Sequence, residues 1–179
     1  MVYLFLANGF EEIEALCVLD LLRRAKVETK TVGVNGKIAT GSHQIPVTCD
    51  ITQEELDVNA DFDMIILPGG LPGAHNLNDS PVVNTLIEKA QQNDKFICAI
   101  CAAPYVLGVR GVLKNKKATC YPGFQDKLLG ADYVNEGVVR DGKIITGRAM
   151  GSATDFALEI IEALCGKEVR EQLKASIIY

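Results

Sequence analysis

Short, unbroken apolar runs alternate along this chain with stretches of helical periodicity. Val2–Ala7 is apolar throughout and ends at Asn8-Gly9, which reads as a buried strand and its turn. Glu11–Ala25 follows with helical spacing. Val27–Val34 is a strand, and Asn35-Gly36 is a turn signal that should lead to another. Ile45–Cys49 reads as a short strand, and Phe62–Leu67 as a buried one closed by Pro68-Gly69-Gly70. Pro81–Gln92 reads as a helix with Ser80 as its N-cap. Phe96–Ile100 is the next strand and Cys101–Val109 the next helix. Lys117–Cys120, Val138–Arg140 and Lys143–Thr146 read as strands, the last two joined at Asp141-Gly142. Ser152–Cys165 places Phe156, Ala157, Ile160, Ile161 and Leu164 on one helical face and stops at Gly166. Val169–Lys174 predicts a final helix.

Continuously apolar strands separated by helices imply a parallel sheet covered on both faces. The expected fold is therefore α/β and doubly wound, as one domain over residues 1–179. In such sheets the functional site lies at the carboxyl ends of the strands. Three loops should converge there: Ala7–Glu14, Pro68–Leu77 and Ile100–Pro104.

Composition narrows the function classes. A hydrophobic content of 48% predicts a compact folded chain, and a net charge of −5 argues against nucleic acid or an anionic membrane as partner. No apolar run approaches the length of a membrane span. MVYLFLANGFEE lacks a basic leader and a cleavage site, so no signal peptide is predicted. The expected location is cytoplasmic, with the six cysteines as reduced thiols.

The stretch Lys95–Pro104, KFICAICAAP, carries the chemistry. It contains C-x-x-C, but Cys98 and Cys101 stand three positions apart on a strand, roughly 10 Å between Cα atoms. A disulfide needs less than about 7 Å, so Cys98 reads as a small buried hydrophobe. The other cysteines are scattered singly, so no metal site is expected. Cys101 sits where a strand turns into a helix, the position of a nucleophile elbow, and the helix dipole should favour its thiolate. Ala102 and Ala103 leave room around the sulfur. Gly69 and Gly70 end the neighbouring strand, and the N–H groups of Gly70 and Ala102 can converge on an oxyanion. The loop GGLPGAHN lacks the spacing of a phosphate-binding motif, and no cofactor is predicted.

Glu14 falls on the core-facing side of the first helix, with Val18, Leu21 and Leu22, and should titrate high through desolvation. It is suited to donate a hydrogen bond to a thiolate or to relay a proton. Glu11 shares that side one turn earlier and is the rival, whereas Glu12 reads as a solvated dipole partner. The chain has two histidines. His43 reads as a surface residue and His75 as a solvated loop residue, so spacing shows no Cys–His pair.

The motifs GFEEIEA (Gly9–Ala15), IILPGGLPGAHNL (Ile65–Leu77), AICAAP (Ala99–Pro104), ITGRAMGSATDFAL (Ile145–Leu158) and LCGKEV (Leu164–Val169) span nearly the whole chain. In them the sequence resembles the ThiJ/PfpI superfamily, in the branch of the parkinsonism-associated protein deglycase and its bacterial relatives. The resemblance implies a flavodoxin-like three-layer sandwich and a homodimer. It makes Cys101 a nucleophile easily oxidised to sulfinate, Glu14 its hydrogen-bond partner, and Gly70 and Ala102 the oxyanion donors. Arg148 matches an arginine placed near the site. Activities in the family include glutathione-independent glyoxalase, protein deglycase, redox-regulated chaperone and, in other branches, peptidase. Many members carry a histidine near the cysteine in a T-H-P context; here Tyr121 stands in its place. Ala102, directly after the cysteine, disfavours the peptidase branch.

The resulting expectation is a cysteine-dependent enzyme acting on small reactive carbonyls or on their glycated protein adducts, through Cys101 and Glu14. Its alternative is a redox-sensing stress protein or chaperone regulated by oxidation of Cys101.

Overall fold

A computed structural model describes residues 1–179. Seven strands form the main sheet: β1 (Val2–Leu6), β2 (Thr29–Gly33), β5 (Ile51–Thr52), β6 (Met64–Leu67), β7 (Phe96–Ile100), β10 (Val138–Asp141) and β11 (Ile144–Gly147). Their order is β10-β11-β7-β6-β1-β2-β5, and every neighbouring pair is parallel except the β10–β11 hairpin at one edge. β1, β6 and β7 are buried along their whole length, as their unbroken apolar runs require of central parallel strands.

Successive residues of each strand feed opposite faces. Tyr3, Phe5, Ile97 and Ala99 pack on one side, against α2 (Gly73–Asp79), α3 (Pro81–Gln92) and α4 (Pro104–Gly108). Val2, Leu4, Leu6, Cys98 and Ile100 pack on the other, against α1 (Glu12–Arg24), α5 (Ala153–Cys165) and α6 (Lys167–Ser176). The three-layer α/β/α architecture expected from the sequence is the one observed. α3 begins as its sequence dictates: Ser80 Oγ accepts from the Val83 N–H at 3.2 Å, and Pro81 occupies the first helical position.

Several elements differ from the expectation. Ile45–Cys49 contracts to β4 (Pro46–Thr48), which pairs only with β3 (Ile38–Thr40) in a separate two-stranded arm. Lys117–Cys120 contracts to β8 (Lys117–Ala118), paired with β9 (Asp132–Tyr133) outside the main sheet. The expected helix Cys101–Val109 starts only at Pro104, because Cys101–Ala103 form a turn. Residues 73–79 are helical although the Gly- and Pro-rich sequence reads as loop.

The register aligns the carboxyl ends of three strands. Leu67 of β6 stands beside Ala99 of β7, and Ile100 beside Gly147 of β11. Everything that follows these strands is delivered to one edge.

Candidate active site

Cys101 is the first residue after β7 and has φ +64°, the left-handed region that a residue with a Cβ seldom adopts. Such a conformation costs of order 1–3 kcal/mol and persists where its surroundings hold it. Here the Cys101 N–H donates to Gly147 O at 2.9 Å, and the Cys101 carbonyl accepts from the Tyr121 N–H at 2.8 Å. The turn lifts a half-buried sulfur out of the sheet edge. It also separates Cys101 from α4, which has five residues. The dipole argument for a lowered thiol pKa therefore loses its basis, since that effect falls off within a helix's first turn.

Glu14 lies in the first turn of α1 and is 1% exposed. The Gly69 N–H donates to its Oε2 at 2.8 Å. The other oxygen, Oε1, is buried without a hydrogen-bond partner, and the Cys101 thiol stands beside the carboxyl. Burial pushes the Glu14 pKa up to about 7, opposed by the hydrogen bonds from Cys101 and Gly69. The Cys101 thiol is raised too, first by burial and then by the charge and hydrogen bond of Glu14, while the N–H groups of Ala102 and Gly70 pull it down. The thiol titrates far above the carboxyl, so Cys101 keeps its proton at neutrality while Glu14 gains its charge as pH rises through about 7. When Glu14 takes the proton its charge vanishes, and its O–H becomes a third donor to the sulfur.

Stability carries the same signature. Folding raises the Glu14 pKa above its ordinary 4.5, so it favours the protonated form. The stabilisation is complete below about pH 4.5 and is lost as pH rises through about 7. Thermal unfolding as a function of pH is expected to show wild type losing on the order of 2 kcal/mol across that window relative to Glu14→Gln. Parallel curves for the two proteins would mean that the carboxyl is not desolvated.

Glycine is required between these groups. A Cβ on Gly69 would fall 2.6 Å from Cys101 Cβ and 2.6 Å from Glu14 Oε2. Over the pair opens a cavity of about 400 Å³, whose walls include Gly70, Leu71, Ala102, Tyr121 and His43. Leu71, Tyr121 and Met150 line its mouth and are each about half exposed. A larger cavity, about 500 Å³, lies at the opposite, amino edge of the sheet among Lys95, Lys116, Arg140 and Lys143. Each of those cations already has a carboxylate partner, Asp61, Asp141, Glu159 and Asp94 in turn, and no nucleophile lines that space.

Of the residues singled out from sequence, Cys101, Glu14, Gly69, Gly70, Ala102 and Tyr121 come together at this edge. Arg148 does not line the cavity; its Nη1 donates to Asn135 Oδ1 at 3.2 Å. His75 is exposed on α2 and bonds the Tyr105 hydroxyl.

Two assignments change. Glu12 is 5% exposed rather than solvated, and both its oxygens engage His43, from the backbone N–H at 2.8 Å and from Nδ1 at 2.9 Å. His43 is exposed as expected, yet it lines the cavity. One signal for Glu12 was present in the sequence: it stands three residues before Ala15 and ten before Leu22, both fully buried. Polar atoms of Glu11, Glu12 and His43 all lie within 4.8 Å of one another. With both Glu12 oxygens already taken by His43, the group is a hydrogen-bonded dyad rather than a metal site.

Comparison with known proteins adds four observations. Residues 1–163 match the model of the DJ-1/PfpI family. The Parkinson disease protein 7 homolog of Danio rerio is 36% identical over 177 residues, covering 97% of this chain and 94% of that protein. The glutathione-independent glyoxalase DJR-1.2 of Caenorhabditis elegans is 34% identical over 168 residues, covering 91% and 87%. The solved structure of oxidized Toxoplasma gondii DJ-1 superposes with a TM-score of 0.95 at 34% identity, covering 99% of this chain and 97% of that one.

Proposed function

Because the chain belongs to the DJ-1/PfpI family, we propose that it is a cysteine-dependent enzyme converting small reactive 2-oxoaldehydes, such as methylglyoxal, to 2-hydroxy acids without glutathione. The observation that carries this reading is the buried Glu14 carboxyl beside the Cys101 thiol, titrating at about 7. A carboxyl poised there can both take and return a proton at working pH.

The Cys101 sulfur adds to the aldehyde carbon, and its proton passes to the carbonyl oxygen, giving a hemithioacetal. The N–H groups of Gly70 and Ala102 stabilise the developing oxyanion. Glu14 removes the proton from the former aldehyde carbon and returns one to the neighbouring carbon, which moves the oxidation level by way of an enediol. The product is a thioester on Cys101, and water cleaves it to the 2-hydroxy acid and free thiol. Tyr121, a phenol, is a hydrogen-bond donor in this scheme and not a base. Early adducts of the same carbonyls on proteins would meet the same groups. A homodimer and a cytoplasmic location belong to the proposal; the half-exposed Leu71, Tyr121 and Met150 are apolar surface that a second copy would cover. No helix is long and apolar enough to cross a membrane. The test is lactate release from methylglyoxal by the purified protein with glutathione absent. A strict requirement for glutathione, or no lactate at all, would overturn the reading.

A second reading is favoured by the donors aimed at the sulfur: Gly70 N–H and Ala102 N–H would hold the oxygens of a sulfinate, making Cys101 a redox sensor. A solved relative is described as oxidized, the Toxoplasma gondii protein. Mild peroxide is then expected to add two oxygens to Cys101 alone, read by peptide mass spectrometry. Even oxidation across all six thiols would exclude it.

A further inference from the structure

We propose that His43 is the base that activates water in the last step of this reaction, with Glu12 as the residue that positions it. The inference deepens the proposed function and rests on it. At the start of the helix that carries Glu14, Glu11 also lines the cavity, but its carboxylate is engaged by Ser42 Oγ at 3.3 Å. Glu14 is buried to 1% exposure and committed to Gly69 and the thiol, and Tyr121 is a phenol.

His43 reaches the cavity from the far side, on the loop between β3 and β4. Its backbone N–H and its Nδ1 bind the two oxygens of one carboxylate, so both the chain and the ring are anchored to Glu12. A carboxylate only accepts, so Nδ1 carries the proton and the neutral ring keeps its lone pair on Nε2. Ser42 Oγ, 3.3 Å from Glu12 Oε2 and 3.1 Å from Nδ1, braces the same contact. Glu12 can come this close because Gly41 has no side chain: a Cβ there would sit 2.2 Å from Glu12 Oε1. A buried carboxylate orienting an exposed imidazole at the rim of a nucleophile's cavity is the arrangement that general-base catalysis needs.

The step balances. Water oxygen attacks the thioester carbon and gives one proton to Nε2. The tetrahedral oxyanion rests on the N–H groups of Gly70 and Ala102, and its collapse breaks the C–S bond. The imidazolium then returns the proton to the departing sulfur, leaving carboxylic acid and thiol.

The groups facing His43 are Glu11 and Glu12 on α1, Ser42 on its own loop, and Glu14, Cys101 and Tyr121 across the cavity. The hydrogen bond to Glu12, then the charges of Glu11 and Glu12, raise the His43 pKa above its ordinary 6.5. As base it acts in the neutral form, so hydrolysis weakens as pH falls through that raised pKa.

The experiment is acid quench of wild type, His43→Ala and His43→Gln during turnover of methylglyoxal, followed by intact mass spectrometry and lactate assay. Both variants are expected to accumulate a Cys101 adduct of one methylglyoxal mass that survives dilution and is cleaved by hydroxylamine, the mark of a thioester. Steady lactate release should fall roughly 10²-fold or more, added imidazole should restore part of it, and the acid limb assigned to His43 should vanish. Unchanged lactate release without a trapped thioester would overturn the role of His43 while leaving the Cys101 chemistry intact. No adduct and no lactate from any of the three proteins, wild type included, would overturn the underlying reaction as well.

Discussion

Replacing Cys101 by serine is expected to bring lactate formation down to the uncatalysed background, and Glu14→Gln to lower kcat by roughly 10²–10⁴-fold. The two changes remove different things. Serine keeps the position and the donors from Gly70 and Ala102, but a hydroxyl is a far weaker nucleophile than a thiol and an alkoxide a far poorer leaving group than a thiolate. Glutamine keeps the shape of Glu14, and its amide oxygen can still accept from the Gly69 N–H, but it cannot carry a proton from one carbon to the next. Binding should survive in Glu14→Gln, because forming the hemithioacetal needs the thiol alone. KM is therefore expected to change far less than kcat, and a reversible Cys101 adduct should be detectable. Full turnover in Glu14→Gln would move the proton transfer to another group; full turnover in Cys101→Ser would remove the covalent route.

Gly70→Ala is expected to be strongly destabilising. Gly70 has φ +86°, and a Cβ there would lie 2.4 Å from Glu11 N, 2.5 Å from Gly9 O and 2.6 Å from Phe10 C. All three are main-chain atoms of the loop between β1 and α1, so none can rotate away. Overpacking costs about 1–3 kcal/mol and the left-handed conformation about 1–2 kcal/mol, together roughly 2–5 kcal/mol. For a chain of this size that corresponds to a drop of roughly 5–15 °C in Tm. Gly36→Ala is the control: it also has a positive φ, +122°, but nothing lies within 4 Å of its Cβ, so only the conformational cost remains. Equal Tm values for the two variants would show that the loop around Gly70 yields. The same substitution moves one of the two N–H groups facing the Cys101 sulfur, so activity should fall along with stability.

What could be read from the sequence was local. α3 and β7 match their expected bounds to the residue, because Ser80-Pro81 caps the one and an apolar run of five defines the other. Cys101 and Glu14 were legible for the same reason: a strand–turn junction marks the first and a helical wheel the second. What was missed is tertiary. α2 forms within a Gly- and Pro-rich segment because Ala74 and Leu77 are buried, and because the Ala74 N–H finds Gly70 O at 2.9 Å. The turn at Cys101 replaces the first turn of the expected helix because its peptide groups are claimed by Gly147 and Tyr121, both distant in sequence. His43 and Glu12 are 31 residues apart, and no periodicity links them. Arg148, carried over from the resemblance, bonds Asn135 and lies outside the cavity of this single chain.

The two-stranded arm of β3 and β4 shares no ladder with the main sheet; it is moored to the β1–α1 loop by Gly9 N–H to Thr40 O and Ser42 N–H to Phe10 O, each 2.8 Å. The nucleophile and its carboxyl are thus rooted in the core, while the opposite wall hangs on an appendage. Mutational drift in the outer turn of the arm can therefore reshape that wall of the cavity at little risk to the main sheet. Variation there should accumulate at the exposed Gln44 and Ile45, sparing Gly41, Ser42 and His43, before it touches the strands beneath Cys101.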